Sequence, residues 1–161
     1  MPNMKWLQLN SLQLGRYAEY CAMMEFASYG HKIYSSEVDD HGVDFVTKIS
    51  GKFYEVQIKS TLKSNYVFML KKSMDVFDDA RLVCYLRFAE DELPEVFVIP
   101  AKAWQTPNAI LVDRDYAGSQ KSKPEWGIQY SIKNRHLLEP YTATKFFEAL
   151  NQSKAEVSHN G

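Results

Sequence analysis

Gly42-Val43-Asp44-Phe45-Val46, a Ser50-Gly51 pair, and then Glu55-Val56-Gln57-Ile58-Lys59 follow one another between residues 42 and 60. Val43, Phe45, Val56 and Ile58 are β-branched or aromatic residues at alternate positions. This predicts two strands sharing one buried face, closed by a two-residue turn at Ser50-Gly51. Closing the hairpin there sets Val46 opposite Glu55 and Asp44 opposite Gln57. Because side chains alternate between faces, Asp44, Glu55, Gln57 and Lys59 are expected on one side and the apolar four on the other. A slip of one residue would undo that sorting, so the register is strongly specified.

Upstream of the hairpin, Ser11 precedes a stretch from Leu12 to Tyr29 dense in Leu, Ala, Met, Tyr and Phe, with Gly30 directly after it. These are helix start and stop signals. The helix is apolar around most of its circumference, with Arg16, Glu19 and Glu25 as charged exceptions, and is expected to lie between layers. A short strand at His31 to Ser35 and a turn at Asp39-Asp40-His41-Gly42 then lead into the hairpin. Downstream, Tyr66 to Leu70 reads as a strand, and Leu82 to Phe88 and Glu95 to Ile99 as a second hairpin. One helical turn is expected at Ala101 to Trp104, an exposed loop at Ala117 to Pro124 and a return to the sheet at Trp126 to Ser131. A last helix is expected from Thr142 through Leu150. Helix, strands and terminal helix in that order predict an α/β (α+β) fold, with a mixed central sheet flanked by helices. Residues 1–150 form the expected single domain, and the polar tail 151–161 is expected to be disordered.

The 161 residues are 45% hydrophobic and 24% charged, ordinary values for a globular domain able to bury a full core. No apolar run approaches the roughly 20 residues needed to cross a bilayer, and Met1 to Asn10 lacks a signal-peptide core. No membrane partner and a cytoplasmic location are therefore the default expectations. Cys21 and Cys84 lack metal or disulfide spacing and read as reduced core residues. The net charge of −1 argues mildly against a nucleic-acid partner, although a local patch counts for more than the sum. Lys59, Lys63, Lys71 and Lys72 are candidates for such a patch.

Neighbours on one strand face lie about 6 to 7 Å apart, so Gln57 and Lys59 can both reach a ligand that touches Asp44. Hydrolysing a phosphodiester needs a hard cation on the phosphoryl oxygen, and Mg²⁺ takes one or two carboxylates plus waters. Asp44 suits that role and Gln57 adds a neutral carbonyl oxygen. The Lys59 ammonium can orient water or neutralise charge developing on phosphate.

Glu19 on the first helix, Asp44 of Val-Asp-Phe and Gln57-Ile58-Lys59 together resemble the PD-(D/E)XK nuclease superfamily, which includes restriction enzymes and junction resolvases. The resemblance covers about residues 12 to 60, and the order of elements agrees. It implies a restriction-endonuclease-like core and a metal-dependent DNA endonuclease, using Mg²⁺ or in its place Mn²⁺, with DNA as substrate and a homodimer as assembly. Asp44 and Gln57 would bind the metal, with Glu19 and Glu55 as further ligands, and Lys59 would be the catalytic lysine. Gln57 stands where members usually carry Asp or Glu, making this a Gln-x-Lys variant, and Val43 replaces the usual proline.

Each residue also has a simpler reading. Asp44 and Lys59 can be a solvated strand face, Arg16 and Glu19 an ordinary helix ion pair, and Glu25 the helix carboxylate in place of Glu19. His31 and His41 lack the further ligands of a zinc site and fit surface or turn positions. Tyr17, Tyr20, Tyr66, Trp104 and Trp126 can stack on bases but more often such residues form core. The rival function is a catalytically inactive nuclease-like domain that binds nucleic acid or a protein partner.

Overall fold

The hairpin expected at residues 42–60 organises the computed structural model, which describes residues 1–40 and 42–161 and, within 36–40, the backbone only. Strands β1 (Lys32–Asp40), β2 (Val43–Ile49), β3 (Lys52–Thr61), β5 (Arg81–Arg87) and β6 (Glu95–Pro100) form a five-stranded sheet in the order β1-β2-β3-β5-β6. β2 and β3 pair antiparallel with Val46 opposite Glu55 and Ile49 opposite Lys52. Ser50 and Gly51 both take positive φ in the turn, as a two-residue hairpin loop requires. β3 and β5 run parallel while the other pairs are antiparallel, so the sheet is mixed as expected. The expected turn at 39–42 is shorter, since β1 continues to Asp40, and His41 lies outside the described residues.

Helix α1 (Ser11–Ser28) starts one residue earlier than expected because Asn10, not Ser11, is its cap. The Asn10 side chain accepts from the Gln13 amide N–H at 2.9 Å while the Gln13 side chain accepts from the Asn10 N–H at 3.0 Å, a reciprocal capping box. Leu14, Ala18, Ala22 and Phe26 recur every four residues and press α1 onto Phe45, Val56, Leu82 and Cys84. Helix α2 (Ala143–His159), capped by the Thr142 hydroxyl, adds Phe147 to the same layer, edge-on to Phe26 at 5.1 Å. Both helices therefore cover one face of the sheet. The outer side of α1 is not sandwiched as expected: Leu12, Tyr20 and Met24 are 84%, 56% and 60% exposed.

The other face carries a second sheet instead of helices. Strands β4 (Tyr66–Leu70), β7 (Leu111–Arg114) and β8 (Glu125–Gln129) form it in the order β4-β8-β7. Tyr66 to Leu70 and Trp126 onward are strands as expected, but they pair with each other and not with the central sheet. Their inward residues Met69, Ile128 and Leu111 pack on Val83, Tyr85, Phe97 and Ile99, around the buried Trp104. Trp104 donates its indole N–H to the Gly127 carbonyl at 3.0 Å. Residues 115–124 are exposed throughout, as expected for that loop.

Residues 151–159, expected to be disordered, continue α2. Once Phe147 anchors the first turns, propagation costs little for a segment containing Gln152, Lys154, Ala155 and Glu156. Among the described residues, no helix is long and apolar enough to cross a membrane. Cys21 is half-buried and Cys84 buried, and both are free thiols.

Candidate active site

The β2–β3 ladder ends at the Phe45–Val56 pair, so Asp44 stands one step beyond it and β3 runs on past β2. There the Asp44 carboxylate takes over a backbone role: Oδ2 accepts the Ile58 N–H at 2.6 Å. A charged acceptor on a backbone donor is a strong bond, and it ties Asp44 to the middle residue of Gln57-Ile58-Lys59. The spacing that suggested a site in the sequence thus has a physical link between its two halves.

From the other side, α1 delivers Glu19. With Ala18 and Ala22 turned to the core, positions 16, 19, 20 and 23 border a cavity of about 430 Å³ that is also lined by Ser35, Asp44, Phe45 and Ile58. Glu19 and Asp44 therefore open on one space. Arg16 holds Glu19 by an ion pair of 2.7 Å, the bridge considered for it, and still lines the cavity. Glu25 does not: it borders a different cavity with Pro94 and Glu95, and burial pushes its carboxyl above the ordinary range.

Gln57 and Lys59 belong to the opposite face of β3. Their ladder neighbours on β5 are Val83 and Tyr85, both packed against the second sheet, whereas Ile58 pairs with Cys84 on the helix side. Neither Gln57 nor Lys59 lines the Glu19–Asp44 cavity, and the two halves meet through the Ile58 N–H.

Gln57 is 7% exposed and engaged by Arg81, itself 5% exposed. Arg81 Nη2 donates to Gln57 Oε1 and to the Gly42 carbonyl, each at 3.4 Å, and to the Ser73 carbonyl at 3.0 Å. Its Nη1 meets Glu55 Oε2 at 3.2 Å. Gly42 completes the cluster: φ is +74°, and a Cβ there would lie 2.8 Å from Gln57 Nε2. Glycine takes that backbone without strain and leaves the Gln57 amide in place, whereas a side chain would have to displace it. Arg81 was not picked out in the sequence, where it shows as a lone charge opening the apolar run Leu82-Val83-Cys84-Tyr85-Leu86.

No three acidic, histidine or cysteine side chains gather as a metal cluster among the described residues. The donor set does fit a hard cation of modest demand, since Mg²⁺ takes one or two carboxylates and keeps waters, and Glu19 and Asp44 supply two on a roomy cavity. Glu55 is half-exposed and tied to Arg81, while Gln57 Oε1 keeps a second lone pair beside the Arg81 bond.

The remaining candidates separate clearly. Lys63 and Lys72 are exposed, and Lys71 pairs with Asp113 and lies 4.2 Å over the Trp126 ring. Tyr17 packs on Trp6 at 4.8 Å, whereas Tyr20 is exposed at the cavity rim. His31 stacks on Phe147 at 5.1 Å, and burial, aided by Lys154, lowers its pKa.

No protein-family model matches the chain, and no curated protein does. Solved structures do. A bacterial homing endonuclease, I-Ssp6803I, matches over 94% of this chain and 99% of its own with 16% identity and a TM-score of 0.55. Hjc, a Holliday junction resolvase from Archaeoglobus fulgidus, an archaeal hyperthermophile, matches over 71% of this chain and 83% of its own, with 9% identity and a TM-score of 0.46. The first likeness establishes a shared fold: a mixed five-stranded sheet with flanking helices, as found in a nuclease.

Proposed function

We propose that this chain is a metal-dependent DNA endonuclease, a single domain over residues 1–150 that hydrolyses phosphodiester bonds with Mg²⁺ or Mn²⁺. The observation that carries the reading is the pairing of Glu19 and Asp44 on one cavity, with Asp44 bonded to the backbone between Gln57 and Lys59. A fold shared with a homing endonuclease supports it.

Asp44 and Glu19 would hold the metal on their shared cavity, and Gln57, a neutral oxygen donor, and Glu55, an outlying carboxylate, would reach it around the end of β2, where the β2–β3 ladder stops at Phe45 and Val56. A divalent ion held there would supply Lewis-acid chemistry, polarising a phosphoryl oxygen and lowering the pKa of water. The Ile58 N–H fixes the Asp44 carboxylate, and Arg16 fixes Glu19, so both acids are oriented before substrate arrives. Lys59, on the same face of β3 as Gln57, would neutralise charge developing on a phosphate that spans from the cavity to that face. Cutting both strands of a duplex calls for two such sites, hence a homodimer, and a cytoplasmic location gives access to DNA. Incubating the purified chain with plasmid and Mg²⁺ or Mn²⁺ tests the reading. Cleavage that depends on metal and is lost in Asp44→Ala and Lys59→Ala supports it, and absence of cleavage rejects it.

One observation favours a second reading, a catalytically inactive nuclease-like domain that binds nucleic acid or a protein. The amide of Gln57, where an acid is usual, already serves Arg81. Under that reading plasmid stays intact in both metals while DNA or a protein is still retained.

A further inference from the structure

The outward face of the second sheet is a preorganised array of planar side chains. By register it carries Tyr66 and Phe68 from β4, Gly127 and Gln129 from β8 and Arg114 from β7. A Cβ at Gly127 would collide with the Tyr66 ring, so the missing side chain is what lets that ring lie against the sheet. The Tyr66 hydroxyl donates to Glu125, which anchors the far end of the ring. The Arg114 guanidinium then lies 4.0 Å over Tyr66 and donates to Gln129 Oε1 at 2.9 Å. Phe68, roughly parallel to Tyr66 with centroids 6.2 Å apart, is 43% exposed.

Charge surrounds this array on several sides. Lys63 lies on the turn between β3 and β4, Lys72 just past β4, and Lys121 and Lys123 on the exposed loop joining β7 to β8; all four are exposed. The Lys71 N–H donates to the Pro124 carbonyl at 3.0 Å, which draws that loop to the β4 end. Of the nearby acids, Glu125 and Asp113 are taken up by Tyr66 and Lys71, while Asp115 is exposed at the start of the loop. A chain of net charge −1 thus gathers cations around one aromatic sheet face.

We infer that this face seats duplex DNA, with the lysines on phosphates and Arg114, Gln129 and Phe68 turned to base edges in the major groove. An antiparallel β-ribbon fits that groove, and arginine, glutamine and an apolar ring are the side chains that read guanine, adenine and the thymine methyl. The loop lysines position without reading. Lys63 lies on the connection leaving the Lys59 strand. The inference rests on DNA as the substrate of the candidate site but not on catalysis.

The test is fluorescence anisotropy of the full chain carrying Asp44→Asn, which keeps the oxygen that accepts from Ile58, with a labelled duplex of about 25 base pairs in Mg²⁺. Salt is stepped from about 50 to about 300 mM. Adding Lys121→Gln and Lys123→Gln is expected to reduce the slope of log affinity against log salt by about one per lysine. Phe68→Ser and Arg114→Gln are expected to weaken binding about tenfold and to flatten the preference among duplex sequences. A charge-matched Lys145→Gln/Lys154→Gln control on α2 is expected to leave binding unchanged. Sheet variants that bind like the parent, a control that weakens binding equally, or tighter binding to the single strand would each overturn the assignment. If the parent does not bind DNA at all, both readings fail. If plasmid is never cut but these variants alone lose binding, catalysis fails and this surface stands.

Discussion

The two faces of the central sheet treat charge differently. On the helix face, Glu19 and Asp44 open on a shared cavity, held by the Arg16 guanidinium and the Ile58 N–H respectively. On the second-sheet face the charges are spent on structure: Arg81 ties Glu55, Gln57, Gly42 and Ser73 together, and Arg87 lies 4.0 Å over Tyr130. One strand, β3, supplies both faces by alternation. A carboxylate that borders a cavity is available for chemistry, whereas a cation locked into carbonyls and rings holds the scaffold rigid.

The strongest way to break that contrast is to remove the acid from the cavity. Asp44→Asn keeps an oxygen for the Ile58 N–H but loses the charge, so melting is expected within a few degrees of the parent while plasmid cleavage falls by at least about 100-fold. Asp44→Ala is expected to lose as much activity and, in addition, about 1–3 kcal/mol of stability, because the Ile58 N–H is left without that acceptor. Urea denaturation separates the two effects. Equal activity of the parent and Asp44→Asn would erase the functional half of the comparison.

Arg81 tests the other face. Replacing it with Met removes a donor from Gln57 Oε1 and from the Gly42 and Ser73 carbonyls, and leaves Glu55, which is half-exposed, to water. About 2–4 kcal/mol of destabilisation is expected by urea denaturation, toward the lower end if Glu55 rehydrates well. A cost below about 1 kcal/mol would mean that the cluster does not carry the face.

Gly42 sharpens the same point on a smaller scale. Gly42→Ala imposes a left-handed side-chain residue and crowds Gln57, for an expected cost of about 1–2 kcal/mol. In a Gln57→Ala background the crowding is gone and only the backbone part remains, so the double-mutant cycle reads the contact directly.

Alternation and turn chemistry made the central features legible. Ser50-Gly51 and the apolar pairs set the β2–β3 register, and the Glu95 to Ile99 run gave the second hairpin. What was not legible depended on partners distant in the chain. Alternation tells which face a residue takes but not which sheet its strand joins, so β4 and β8 were expected in the central sheet. β7 is four residues with two charges, Asp113 and Arg114, and acquires meaning only beside β8. For the site, Glu19 and Asp44 can be picked out by type and order, but the sequence leaves Glu25 as an alternative to Glu19, and packing places Glu19 on the cavity and Glu25 elsewhere. Arg81 meets Glu55 only through a parallel pairing between β5 and β3. Such a pairing leaves no local trace.

The smallest expected effect concerns pH and belongs to the helix face, where His31 stacks on Phe147. Burial, with Lys154 adding to it, lowers the His31 pKa in the folded chain, so between the folded and unfolded values the unfolded chain binds more protons. Stability from this residue is complete above the unfolded value of about 6.5 and is lost as pH falls through the folded one. Glu25 acts in the opposite sense: its raised carboxyl favours the folded chain on the acid side and costs stability as pH rises through its own range. Tyr66 and Tyr85, near or on the second-sheet face, are pushed up by burial and titrate only in alkali. A melting series from about pH 8 to about pH 5 is therefore expected to show a shallow acid decline. His31→Phe keeps an aromatic ring on Phe147 and removes the proton, so the difference between the two melting curves cancels Glu25 and isolates His31. A difference that does not widen toward acid would place the histidine in the same environment folded and unfolded, and the acid sensitivity would then not arise from the packing of α2 on this face.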